Sequence, residues 1–114
     1  DGKPFAFAGI WEHWQGDDGD EFLTCAIVTT DASNQLLPIH HRMPVILPPT
    51  AYETWLVGDT REVGPLMAQY NGSMETWPIS TLVNKVQNDG PELLERSELA
   101  AVPEKPKPTQ MDLF

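Results

Sequence analysis

Apolar residues crowd both faces of Phe5-Ala6-Phe7-Ala8-Gly9-Ile10-Trp11, a pattern that predicts a strand buried on both sides. The acidic, glycine-containing loop Gln15-Gly16-Asp17-Asp18-Gly19-Asp20 turns the chain, and Phe22 to Thr30 returns as a second strand. An antiparallel pair is therefore expected. Asp31 is placed to cap a short helical turn through Ser33-Asn34-Gln35-Leu36, which delivers the chain to a loop fixed by Pro38 and then to a short apolar strand before Pro48-Pro49. Thr50-Ala51-Tyr52-Glu53 has the capping-box pattern. Tyr52, Trp55 and Leu56 then fall on one helical face, expected to pack on the sheet, with Gly58 placed to end the helix. Gly64-Pro65 opens another short helix through Leu66, Met67 and Ala68. Met74 to Ile79 reads as an edge or closing strand, because Pro78 cannot donate to a ladder. No internal repeat is present.

Composition narrows the function more than the fold. The 114 residues suit one domain with a modest core, and 11 prolines with 8 glycines predict many turns and few long helices. Seventeen acids against seven bases give a formal charge of -10, the opposite of a stand-alone nucleic-acid binder. One cysteine excludes an internal disulfide and fits a reducing cytosol. No signal peptide and no apolar run of about 18 residues is seen, so a cytoplasmic protein with no membrane partner is expected.

Candidate chemistry concentrates in Ile39-His40-His41-Arg42-Met43-Pro44. Histidine gives and takes protons near neutral pH, and arginine suits a phosphate. Together they predict a phosphate-bearing substrate held beside an acid/base group. Thr29 and Thr30 end the preceding strand and can hydrogen-bond a sugar or backbone. Each residue also has a plainer role to weigh: a satisfied buried histidine, a structural ion pair, a solvated His41. A metal site from His13, His40 and His41 is not expected, because adjacent histidines point apart on a strand and no Cys or second carboxylate has ligand spacing. Neither a phosphate-cradling glycine loop nor a serine nucleophile motif occurs, and no cofactor is expected.

The same segment resembles the Ile-His-x-Arg-Met-Pro stretch of the SOS response-associated peptidase (SRAP) family. Pro4-Phe5-Ala6-Phe7-Ala8-Gly9-Ile10-Trp11-Glu12 and Thr24-Cys25-Ala26-Ile27-Val28-Thr29-Thr30-Asp31-Ala32 are similar to the strands that precede it. Trp77-Pro78-Ile79-Ser80 and Val83 to Leu93 are similar to the family's closing segment. The resemblance implies an α+β fold, a mostly antiparallel, barrel-like sheet with short helices, of which this chain is the second half. It implies capture and shielding of abasic sites in single-stranded DNA through a covalent thiazolidine with an N-terminal Cys, freed by autoproteolytic removal of the initiator Met. Family members begin Met-Cys-Gly-Arg and carry an Asn and a Phe-Tyr-Glu-Trp-like Glu in their first half; none of these is matched here. Cys25 lies within a strand, and Glu12 belongs to the strand after the Glu motif, so neither takes those roles. By resemblance His40 is the acid/base catalyst and Arg42 a phosphate contact. His41 stands where the family often has Asp and, with Thr29, is a candidate DNA contact. Autopeptidase and lyase-like crosslinking activity is expected only when the N-terminal half is supplied; this chain alone is expected to be inactive.

The C-terminus carries a separate signal. Val102-Pro103-Glu104-Lys105-Pro106-Lys107-Pro108-Thr109 alternates proline with polar residues, as an extended linker does. Gln110-Met111-Asp112-Leu113-Phe114 resembles the pentapeptide by which bacterial polymerases and repair factors dock on the replication sliding clamp. Leu113 and Phe114 are its apolar anchors, Met111 an adaptable contact and Gln110 a polar one. The expected organisation is therefore 1–95 as the second half of an SRAP domain, 96–109 as a linker and 110–114 as a clamp-binding peptide. The expected setting is a bacterial, nucleoid-associated one. The alternative function is a non-catalytic adaptor that binds the clamp through this tail.

Overall fold

Three extended stretches each break at a single residue and change partner there. The computed structural model describes residues 2–97, which divide into two compact units at Gly72/Ser73. In the first unit, β1 (Ala6–Phe7) and β2 (Gly9–Gln15) flank Ala8. Likewise β3 (Glu21–Ile27) and β4 (Thr29–Asp31) flank Val28, and β5 (Arg42–Pro44) and β6 (Ile46–Leu47) flank Val45. β1 pairs with β6, β2 with β3 and β4 with β5, each antiparallel. The result is three two-stranded arms.

The arms meet in a closed ring of backbone hydrogen bonds. Ala8 N–H donates to the Val45 carbonyl (2.8 Å), Val45 N–H to the Val28 carbonyl (2.9 Å), and Val28 N–H to the Ala8 carbonyl (2.9 Å). Ala8 and Val45 are wholly buried, where an unpaired peptide group is costly; the ring satisfies all three residues. Around it lies the core of Ala8, Val45, Leu47 and Ala51, with half-buried Val28, Tyr52, Trp55 and Leu66 packed on it. Burying Val45 contributes roughly 1.5–3 kcal/mol.

The β2–β3 pairing follows the sequence expectation, with register from Gly9↔Ile27 to Gln15↔Glu21. The expected burial on both sides does not. Every residue of β2 and β3 is exposed, because among the described residues no layer covers either face of this ribbon. Its turn is closed by Gly16 N–H on the Asp20 carbonyl (2.8 Å) and Gly19 N–H on the Gly16 carbonyl (3.1 Å). Gly19, at φ 87°, supplies the left-handed residue. Asp18 accepts from Asp20 N–H (3.2 Å), and that bond, followed by the side chain of Asp20, holds its carboxyl below the usual range.

Helical structure departs from expectation in its caps. Pro49–Ala51 form a 3-10 turn ahead of α1 (Tyr52–Val57), whose N-cap is Ala51 with no side-chain cap. The Thr50 capping box is thereby displaced, since the preceding turn already uses Tyr52 N–H on the Pro49 carbonyl. A capping box forms instead at α2 (Thr60–Val63), where Asp59 Oδ1 accepts from Glu62 N–H and Glu62 accepts from Asp59 N–H. Gly58 ends α1 in extended rather than left-handed backbone. Tyr52 and Trp55 pack on the core, but Leu56 is 78% exposed. A 3-10 turn at Gly64–Leu66 follows, close to the expected helix. Asp31 is not a helix cap: it ends β4, and the turn after it closes on the Ser33 carbonyl, which accepts from Leu36 and Leu37 N–H.

In the second unit, Met74 to Ile79 forms no strand beyond a single bridge, Ile79↔Arg96. Trp77 Nε1–H donates to the Leu94 carbonyl (3.0 Å), and Arg96 stacks over the Trp77 ring while pairing with Glu75. Side-chain contacts, together with that bridge and Ser97 N–H on the Pro78 carbonyl (2.9 Å), hold this segment in place of a full ladder. The fold class is α+β, with antiparallel sheets and short helices. Among the described residues the sheet does not close into a barrel. The expected linker 96–109 lies outside the described residues from 98 onward, as does the pentapeptide Gln110 to Phe114.

Candidate functional site on the arm of strands four and five

The β4–β5 arm pairs Asp31 with Arg42, Thr30 with Met43 and Thr29 with Pro44. Strand alternation sends Met43 to one face and Arg42 to the other. Met43 is 2% exposed and its Sδ accepts from Ser33 N–H (3.3 Å), fixing the arm to the core. On the opposite face Arg42 donates to Asp31 Oδ1 (2.8 Å) and Thr29 Oγ1 (3.1 Å). Those two acceptors are two residues apart on β4, so they share a face and meet the planar guanidinium together.

The turn that follows β4 delivers the histidines. Ile39 and His40 N–H both donate to the Leu36 carbonyl, and Ala32 N–H donates to the His41 carbonyl (2.9 Å). Gln69 Nε2 donates to the carbonyls of Asp31 (2.9 Å) and Ala32 (3.0 Å), which ties the start of the turn to the segment after Leu66. No sequence signal marks Gln69; its contact spans 38 residues and exists only in the fold.

His40 is half-buried, and its Nδ1 faces both backbone groups of Arg42. It lies 2.9 Å from the N–H and 3.1 Å from the carbonyl oxygen. With the proton on Nε2, Nδ1 accepts the Arg42 N–H; with Nδ1 protonated, it donates to the Arg42 carbonyl. Each tautomer therefore has a partner for Nδ1 on the Arg42 backbone. The exposed His41 ring stacks on His40, with centroids 4.6 Å apart and planes 18° apart.

His40, His41, Arg42 and Thr29 are thus brought to one arm. Cys25 and His13 lie elsewhere. Cys25 is exposed on β3 opposite Trp11, and His13 on β2 faces Glu21 at 3.5 Å. Among the described residues no cluster of three or more His, Cys, Asp or Glu is placed to hold a metal, and no helix is long and apolar enough to cross a membrane.

Comparison with known proteins places this arm in context. The family described as SOS response associated peptidase (SRAP) matches residues 1–86. The abasic site processing protein YoqW of Bacillus subtilis is 39% identical over 95 residues, covering 80% of this chain and 42% of YoqW. The abasic site processing protein HMCES of Gallus gallus is 43% identical over 107 residues, covering 90% of this chain and 31% of HMCES. A crystal structure of a protein from Bacteroides thetaiotaomicron superposes with a TM-score of 0.70 at 31% identity, covering 82% of this chain and 43% of that one. The chain spans less than half the length of each of these proteins.

Proposed function

The chain belongs to the SOS response associated peptidase family, and from that premise we propose that it supplies the acid/base and phosphate-facing part of a protein that captures abasic sites in single-stranded DNA. The observation that carries this reading is the setting of His40, whose Nδ1 is held on the Arg42 backbone, so that the opposite nitrogen, Nε2, is the one that exchanges protons. With Nδ1–H donating to the Arg42 carbonyl, Nε2 takes a proton as base and returns it as acid while the ring stays fixed.

An abasic deoxyribose is largely a closed hemiacetal. Opening it requires a proton to leave the anomeric hydroxyl and one to reach the ring oxygen, giving an aldehyde. Nε2 of His40, opposite the anchored nitrogen, serves that exchange. The amine of an N-terminal Cys outside this chain then adds to the aldehyde and loses water to give an imine. Addition of the Cys thiol to the imine carbon closes a thiazolidine. One water leaves overall, and no oxidant or reductant is needed. Freeing that Cys requires hydrolysis of the bond to the initiator Met, the peptidase step. Arg42 holds a DNA phosphate with N–H groups beyond those given to Asp31 and Thr29, while Thr29 and the outward-facing His41 line the DNA.

The test combines this chain with the N-terminal part of an SRAP protein and offers single-stranded DNA bearing one abasic site. A denaturation-resistant protein–DNA band, dependent on the N-terminal Cys and slowed by His40→Ala, is the expected result. Absence of any band from folded, complete protein overturns the reading.

A further inference from the structure

The His41 imidazole lies flat on that of His40, with centroids 4.6 Å apart and planes 18° apart, within the range of favourable offset stacking between aromatic rings. Neighbouring side chains on a strand point to opposite faces. The two histidines depart from that rule because both precede β5, which begins at Arg42. The bend is held at each residue: His40 N–H donates to the Leu36 carbonyl (3.0 Å), and the His41 carbonyl accepts from Ala32 N–H (2.9 Å). Each ring therefore stands on a separately anchored backbone, His40 on the turn and His41 on the chain just after β4.

The contact with the Arg42 backbone fixes one atom of the His40 ring, Nδ1. One atom does not fix a plane. The torsion that turns an imidazole about its Cβ–Cγ bond is broad, so a ring held only at Nδ1 still rocks, and rocking displaces Nε2. A second ring laid on its face restrains that motion, because a tilt drives the rings together on one side and opens a gap on the other.

We propose that His41 is a positioning residue, whose ring, stacked on His40, holds the plane of His40 so that Nε2 keeps one direction toward the sugar. The inference deepens the capture reading and rests on it. It is particular to a histidine at this position; the Asp that family members often carry here has no ring to offer. It is also distinct from the contact that His41 makes along the DNA.

The test measures single-turnover adduct formation over a range of concentrations of abasic single-stranded DNA. It uses this chain completed by the N-terminal part of an SRAP protein, as the parent and as His41→Ala, His41→Phe and His41→Asn. His41→Ala is expected to lower the rate at saturating DNA by about 10–100-fold, the scale of loss when a reacting group is slightly misplaced. His41→Phe, which keeps a flat ring without the nitrogens, restores most of that rate. His41→Asn, which keeps a polar edge without the ring, does not. A role confined to DNA contact instead moves the half-saturating DNA concentration, leaves the saturating rate alone and favours Asn over Phe; that outcome overturns the proposal.

NMR relaxation of the His40 ring carbons in this chain, with no DNA present, reads the rocking directly. High order in the parent and in His41→Phe, with lower order in His41→Ala, is expected. Equal order in the parent and His41→Ala overturns the proposal. Absence of adducts from the parent sinks the capture reading alone, because relaxation still decides whether His41 fixes the His40 ring. His41 is exposed, so these replacements leave the core unaltered.

Discussion

Arg42 sits directly opposite Asp31 in the β4–β5 ladder, and its guanidinium nitrogen lies 2.8 Å from the Asp31 carboxylate. The Asp31 side chain is 84% exposed, and an ion pair so open to water contributes about 0–1 kcal/mol. Asp31→Asn is therefore expected to change stability by less than about 1 kcal/mol while releasing Arg42 toward phosphate. In the complete protein, affinity for single-stranded DNA should rise for this variant and fall for Arg42→Ala. A drop in affinity for Asp31→Asn, measured by fluorescence anisotropy, contradicts Arg42 as the phosphate contact.

His40→Ala in the complete protein is expected to slow adduct formation by about 10²–10⁴-fold, the usual contribution of a positioned acid/base group. The far-UV spectrum and melting temperature should stay close to those of the parent, because the half-buried ring is not part of the core. Unchanged single-turnover rates exclude the catalytic role.

Met43 carries the arm on its buried face. Met43→Ala removes a side chain that is 2% exposed, and comparable core truncations cost about 2–5 kcal/mol. Ser33 N–H also loses its acceptor. Urea unfolding monitored by tryptophan fluorescence should show the loss, and a change below about 0.5 kcal/mol means that the arm is held by other contacts.

The ribbon turn has an acid-sensitive element. Hydrogen bonding from Asp20 lowers the Asp18 pKa in the folded state, so Asp18 adds stability above the usual carboxylate range. That contribution is lost as pH falls through the folded value. The protection of the Asp20 amide, relative to its intrinsic exchange rate, should therefore fall as pH drops below the usual carboxylate range, and Asp18→Asn should remove that dependence. Protection that does not change with pH in the parent argues against the bond.

A recruitment role for Gln110, Met111, Leu113 and Phe114 is a proposal from the sequence. Deleting residues 110–114 is expected to abolish binding to a bacterial sliding clamp while leaving adduct chemistry intact. Clamp binding that survives the deletion removes the pentapeptide from consideration.

The His-Arg segment was legible because its side chains are adjacent in sequence and their chemistry is local. The antiparallel pairing was legible because glycines and acids mark the turn between two apolar runs. The capping box was misplaced because Pro49 starts a 3-10 turn earlier, so Thr50 falls inside a helical segment rather than ahead of it. Asp31 has the residue type of a helix cap, but its strand partner Arg42 lies 11 residues away, beyond any local pattern. The strand expected at Met74 to Ile79 is reduced to one bridge, because Trp77 and Arg96 bind across the loop by side chains.

By itself the sequence determined the family, the α+β class, the ribbon and the His40-His41-Arg42 segment as the candidate site. These depend on apolar periodicity, turn residues and a contiguous motif, all written in nearest neighbours. The tertiary structure alone decided that Ala8, Val28 and Val45 form one ring of backbone bonds, that Gln69 ties down the histidine turn, and that Nδ1 of His40 rests on the Arg42 backbone. Each depends on peptide groups or side chains distant in sequence, or on a turn's exact path, which composition and periodicity do not encode.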